Sequence, residues 1–376
     1  MGYVVSMNTV LATTHPSNAT RLVDQVGALR ASLDREGISI TDMSRAGSLE
    51  MNLGTEDPEA DLTHSSGPVD IVRLEGPIAA RPVATAEPGA TAFHYFLDGA
   101  QKTIPVCRIG LTPVVAAISA AGILERDESG QPRLVREALR VRQAWITPTR
   151  LNNPALSRLI DEILSTGGIL EDPLEHHDGE PLDDYDRIAG NYGQTLSLAF
   201  KLAGELRARQ ERRLIDQWET SLSTTSPESW IVVDGPLRGN IRNAVGLVKN
   251  LQTQQLTHNE AIALFDLPQG SRTTAFRYAS ADADPDHDTG EGKTMWYMRL
   301  WSPTGMDARH SLVRIEAAHD VATTAQIDEI SSWILAERLP RATADPRWPT
   351  LLYPIHYLER ILKRRLSELT AGWPSA

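Results

Sequence analysis

WIVVDGPLRG, residues 230–239, decides how the chain is read: an apolar run from Trp230 to Val233 stops at Asp234, and Gly235-Pro236 ends the strand. The same grammar occurs at FHYFLDGAQK, residues 93–102, where an aromatic and aliphatic run meets Asp98-Gly99. Taken singly, either Asp-Gly is a turn pair. Taken together, on strands that could be neighbours, the two carboxylates converge on a small volume. Uncompensated, they would repel and raise each other's pKa, and a divalent cation is the natural remedy. Magnesium or manganese binds few carboxylates and keeps several waters, which suits phosphate chemistry.

A third acid is expected from the long helical stretch before Asp234. Residues 190–222 keep Leu196, Ala199, Phe200, Ala203, Leu206, Leu214, Trp218 and Leu222 roughly on one face, a helical period. The candidates are Glu205, Glu211, Asp216 and Glu219; most acids on a charged helix are solvated surface. Glu211 is favoured because the arginines of RARQERRL around it could meet phosphate. Past Asp234, Lys249 closes the apolar run Val245–Val248. It reads either as a strand-end lysine reaching for water or as a cation for developing phosphate charge. Arg238 and Arg242 between them are candidate phosphate contacts. His356 in TLLYPIHYLERIL reads as a packed histidine or as a general acid or base.

The 376 residues carry a net charge of −12, with 41% hydrophobic and 23% charged residues, a soluble globular composition. The acidic total argues against a broadly basic nucleic-acid surface, but the charge is uneven. Acids crowd into 171–186 and 282–291, while basic residues gather in LVREALRVR, RARQERR, LRGNIRNAVGLVKN and LERILKRRL. No apolar stretch approaches the roughly 20 residues of a membrane span. The N-terminus has no basic leader and only a loose myristoylation match at Gly2, so a cytoplasmic location is expected. One cysteine, Cys107, excludes an intramolecular disulfide and a cysteine-rich metal site.

Along the chain, residues 18–36 predict a helix and 40–68 a polar loop, so that 1–68 reads as an extension to a main domain at 69–376. Strands are expected at VDIVRLEG, FHYFLDG, TIPVCRIG and TPVVAAISAAGILERD. A helix or hairpin arm is expected at 132–146, a helix at 154–166 and an exposed acidic excursion at 167–187. After 222 come a strand, AVGLVKN, a short helix at 257–266, an acidic loop at 280–293, two strands and two closing helices. The order predicts an α/β chain with a mixed sheet flanked by helices. DTGEGKT, 288–294, is not a phosphate loop, since no apolar strand precedes it and a strand follows it. The alternating Asp282, Asp284, Asp286 and Asp288 lack the glycine and final glutamate of a calcium loop.

The order of FLDGAQKT, WIVVDGPLRG, GLVKN, YMRLW and LLYPIHYLERI resembles the NurA family from about Val69 to the C-terminus. That resemblance implies an RNase H-like core and a manganese- or magnesium-dependent DNA nuclease, dimeric, working with a hexameric HerA-type ATPase. It implies metal binding by Asp98, Asp234 and Glu211, and roles at the DNA for Lys249, His356 and Tyr297. Ala100 departs from the serine usual in the family's first motif. Two other outcomes fit the same residues: a nuclease-like adaptor that docks an ATPase without cleaving, and an RNase H-like nucleotide-binding protein.

Overall fold

The structure, a computed structural model, describes residues 21–38, 41–42, 70–87, 90–127, 129–175, 179–225, 227–249, 256–279, 292–340, 342 and 347–371. Most of the polar stretch expected at 40–68, and 280–291 of the acidic loop, lie outside them.

In chain order the elements are α1 (Leu22–Arg35), β1 (Thr41–Asp42), β2 (Ile71–Arg73), β3 (Ala80–Pro82), β4 (Phe93–Ile109), β5 (Thr112–Arg126) and β6 (Pro132–Ile146). Then come α2 (Pro154–Ser165), β7 (Leu170–Glu171), α3 (Tyr185–Ala189), α4 (Tyr192–Gln217, running into a π-helical turn at Trp218–Leu222), β8 (Trp230–Asp234) and β9 (Ala244–Val248). The last are α5 (His258–Phe265), β10 (Ser271–Thr273), β11 (Phe276–Tyr278), β12 (Thr294–Arg299), β13 (Leu312–Ala317), α6 (Thr324–Glu337) and α7 (Tyr353–Leu369).

The strands form one mixed sheet in the order β2-β11-β12-β13-β9-β8-β4-β5-β6-β7. β4, β5 and β6 are an antiparallel meander. β8 lies parallel to β4, and β9 parallel to β8. β13, β12, β11 and β2 extend the sheet beyond β9 as antiparallel ribbon, with β10 and β3 paired alongside β12, while β7 lies parallel to β6 at the other edge and β1 pairs with β4.

Both faces of the sheet centre are covered, which is why the run Val114–Leu124 is apolar without alternation. Even-numbered side chains of β5, such as Ala116, Ile118 and Ala120, join one core with α1, α2, α6 and α7. Odd-numbered ones face α4, where Val115 and Ala117 meet Ala199, Ala203 and Leu206. Small residues on both sides let α4 lie close. Leu22, Val26, Leu29 and Leu33 of α1 belong to the main core, so this helix is integral to the fold.

Two expectations need correction, and one open alternative is decided. FHYFLDG and TIPVCRIG are one 17-residue strand, so Asp98-Gly99 is not a turn. The chain continues because β5 pairs with it throughout, with an irregularity at Pro105 where the ladder lacks an N–H. Residues 132–146, open between a helix and a hairpin arm, are the hairpin arm, a strand antiparallel to β5. The segment 167–187 is more than an exposed excursion. Leu170 and Glu171 pair with Trp145 and Ile146, and buried Asp172 accepts hydrogen bonds from Thr149 and Tyr185.

Candidate functional site

β8 ends at Asp234 because Gly235 turns the chain with φ 121°, a conformation few L side chains adopt. The parallel register pairs Phe96 with Val232 and Leu97 with Val233. Asp98 and Asp234 are therefore the next residues on two adjacent strands. Alternation puts both on the face of Phe96 and Val232, which is the α7 side. Beyond the last paired residue, the Gly99 N–H has no β8 partner, and Asp98 Oδ1 accepts it at 2.7 Å. Asp98 is 4% exposed, and its Oδ2 is buried with no hydrogen-bond partner. Burial, and then the Asp234 charge, push the Asp98 carboxyl well above the ordinary carboxylate range; Lys249 opposes the rise, and Glu211 and Glu359 add to it.

Glu211 enters from α4. It reaches the sheet over Gly99, where a Cβ would stand 2.0 Å from Glu211 Oε1. One turn earlier, Arg207 Nη1 donates to the same oxygen at 3.0 Å. Burial raises the Glu211 pKa, Arg207 opposes that, Asp234 adds to it and Arg238 opposes it. Asp98, Glu211 and Asp234 thus act on one another electrostatically, the two aspartates on the α7 face and Glu211 against Gly99 on the α4 face. Of the other helix acids, Glu205 faces Arg209 at 4.0 Å, and Asp216 and Glu219 are exposed.

Lys249 belongs to the same group. Its Nζ lies 2.7 Å from Asp234, so it is an internal counter-charge rather than a strand-end lysine extended into water. Arg238 is exposed and close enough to act on Glu211. Arg242 points elsewhere, pairing with Asp320 at 3.3 Å.

α7 closes the group from the other side. Glu359, which the sequence reading passed over, is buried, bound by Arg347 and Lys363 at 2.8 Å each, and felt by Asp98. Those two cations outweigh its burial and hold its pKa below the usual range. Only the helical face separates Glu359 from the other charges of HYLERILKRR, and that face is not visible before the sheet is assembled. His356 stands one turn before Glu359, with Nδ1 4.0 Å from Glu359 Oε2 and buried without a hydrogen-bond partner. Among the described residues, no hydrogen bond or ion pair joins His356 to the three acids.

Tyr297 is not part of this site. It is 2% exposed on β12, stacked on Phe276 with ring centroids 5.9 Å apart. A ring enclosed in this way offers no face to a nucleobase.

Three carboxylates are a hard oxygen donor set of the kind that suits magnesium or manganese, and the buried Asp98 Oδ2 has no hydrogen-bond partner. In the conformation shown, Lys249 and Arg207 take up the charge of Asp234 and Glu211. Among the described residues, no three His, Cys, Asp or Glu side chains form a ready cation cage. No helix among them is long and apolar enough to cross a membrane. No protein-family model and no curated protein matches the chain.

Proposed function

We propose that the chain is a divalent-cation-dependent DNA nuclease of the NurA type, with an RNase H-like core formed by β4, β5, β6, β8 and β9. The observation that carries this reading is the placement of Asp98 and Asp234 on one face of adjacent parallel strands, with Glu211 of the covering helix close enough to feel the Asp234 charge. The support for the fold is a meander whose first strand is followed, on its other side, by two successive parallel strands, β8 and then β9. The support for the chemistry is the resemblance of the motifs around these same residues.

Asp98, Asp234 and Glu211 would hold manganese or magnesium, which supplies activation of water and stabilisation of phosphoryl charge. Lys249 neutralises Asp234 in the cation-free protein and lies where it can meet a phosphate oxygen. Arg207 and Arg238 place further positive charge beside Glu211, favouring a phosphodiester over a neutral ligand. His356, with a partnerless ring nitrogen on the α7 side, is the candidate to pass a proton to the leaving oxygen. DNA, a HerA-type hexameric ATPase and a second copy of the chain are the partners the resemblance implies.

Incubation of the purified chain with linear DNA in Mn²⁺, against the same mixture in EDTA, tests the reading. Cation-dependent cleavage supports it. Intact DNA even with a HerA-type ATPase added favours an adaptor, and ATP binding by the isolated chain favours a nucleotide-binding protein.

A further inference from the structure

The loop after Asp234 is held by a buried ion pair remote in sequence. Glu316 on β13 is 1% exposed and Lys293, just before β12, is 4% exposed. Their charges meet at 2.9 Å. Both also grip one peptide unit of the loop: the Leu237 N–H donates to Glu316 Oε2 at 3.0 Å, and Lys293 Nζ donates to the Leu237 carbonyl at 2.7 Å. Arg314 holds the other oxygen of Glu316 at 2.6 Å, fixing the rotamer.

The loop lies flush on β9. A Cβ on Gly246, whose register partner is Glu316, would stand 2.5 Å from Leu237 N and 2.9 Å from the Gly235 carbonyl. The Leu237 side chain packs with Leu214 and Ile215 of α4, the helix that carries Glu211. Asp234 lies three residues before Leu237, and Arg238 directly follows it.

We infer that Glu316 and Lys293 are positioning residues for the acid group, fixing through the Leu237 peptide where the Asp234 carboxylate and the Arg238 guanidinium stand. The inference rests on the reading of Asp234 as a cation ligand. It also gives Lys293, the lysine of the rejected DTGEGKT motif, a role. A charged pair buried this completely stabilises little by itself. What it does supply is a directed hold on both polar groups of one peptide. Partners that orient metal ligands from outside typically change metal affinity by about 10- to 100-fold when removed.

The experiment uses the full chain and two variants, Lys293→Met and Glu316→Gln. Glu75→Gln serves as a control that loses an ion pair elsewhere in the sheet. Mn²⁺ affinity is read by titration calorimetry, and exchange protection of the Leu237 amide by hydrogen exchange at a temperature where all chains are folded. The expected result is an about tenfold or greater loss of Mn²⁺ affinity and a loss of Leu237 protection in both variants, with neither in Glu75→Gln. Should a variant fail to fold, Gly246→Ala displaces the same loop without altering a charge and is expected to give the same loss. Affinity within twofold of wild type, or equal loss in Glu75→Gln, overturns the positioning role. A wild-type chain that takes up no Mn²⁺ overturns the cation reading instead. In that case unchanged Leu237 protection in the variants overturns the clamp as well.

Discussion

Lys249 Nζ lies 2.7 Å from Oδ1 and 2.7 Å from Oδ2 of Asp234, so one ammonium spans both oxygens of the carboxylate that closes β8. Removing it leaves Asp234 facing Asp98 and Glu211 with its nearest counter-charge gone. Lys249→Met is expected to lower stability by about 1–3 kcal/mol in EDTA, since a largely buried charge loses its partner. Mn²⁺ should then raise the melting temperature of the variant more than that of wild type, because a divalent cation replaces the ammonium. Equal Mn²⁺ shifts in the two chains contradict this.

Asp98 has the opposite character. Its Oδ2 is buried without a partner, and its ionised form is disfavoured by burial and by Asp234. Asp98→Asn removes that burden while keeping the side chain's size. Thermal scans in EDTA should give a melting temperature at or above wild type, with cleavage abolished. A variant that melts well below wild type would show the carboxylate to be structural.

Gly99→Ala tests the approach of α4. The added methyl would meet Glu211 Oε1 at 2.0 Å, so the carboxylate must move while the strand, which has no left-handed φ at Gly99, is kept. Cleavage should fall about 100-fold, the scale expected for an ångström of displacement in a catalytic group, with an unchanged circular dichroism spectrum. Wild-type activity in this variant would remove Glu211 from the site.

The pH dependence of stability should carry the signature of a pair far from the acids. Glu75 accepts from Arg272 at 2.6 and 2.9 Å and from the Ala275 N–H at 2.7 Å. Burial opposes ionisation, but these donors outweigh it and bring the Glu75 pKa down to about 2. A carboxylate with a depressed folded pKa contributes fully above its unfolded value of about 4.3, and that contribution is lost as pH falls from there to about 2. Glu75→Gln should therefore cost on the order of 3 kcal/mol at neutral pH and progressively less below pH 4, read from urea midpoints. Curves that stay parallel to pH 2 would contradict the assignment.

Much of this was legible in the sequence, because period and punctuation report local structure. The helices Leu22–Arg35, Pro154–Ser165, Tyr192–Gln217 and His258–Phe265, the strand ending at Asp234 and the strands Thr294–Arg299 and Leu312–Ala317 lie within the stretches that periodicity marked. The matched Asp98 and Asp234 motifs placed two acids on what prove to be neighbouring strands. What sequence could not supply was the register. Asp98-Gly99 reads locally as a turn, and only pairing with β5 carries the strand through it. Tyr297 sits in a motif-like stretch, yet the sheet extension packs it against Phe276. Glu359, Lys293 and Glu316 act across more than 20 residues of separation, and no spacing rule connects them to Asp234.

The most direct measurement is the rate at which the purified chain degrades linear DNA in saturating Mn²⁺, compared with Asp98→Asn and Asp234→Asn chains of confirmed fold. The account predicts cation-dependent cleavage by wild type and a loss of at least about 1,000-fold in each variant, the scale of removing a principal catalytic group. Cleavage by either variant at the wild-type rate, or none by wild type in Mn²⁺, would contradict it.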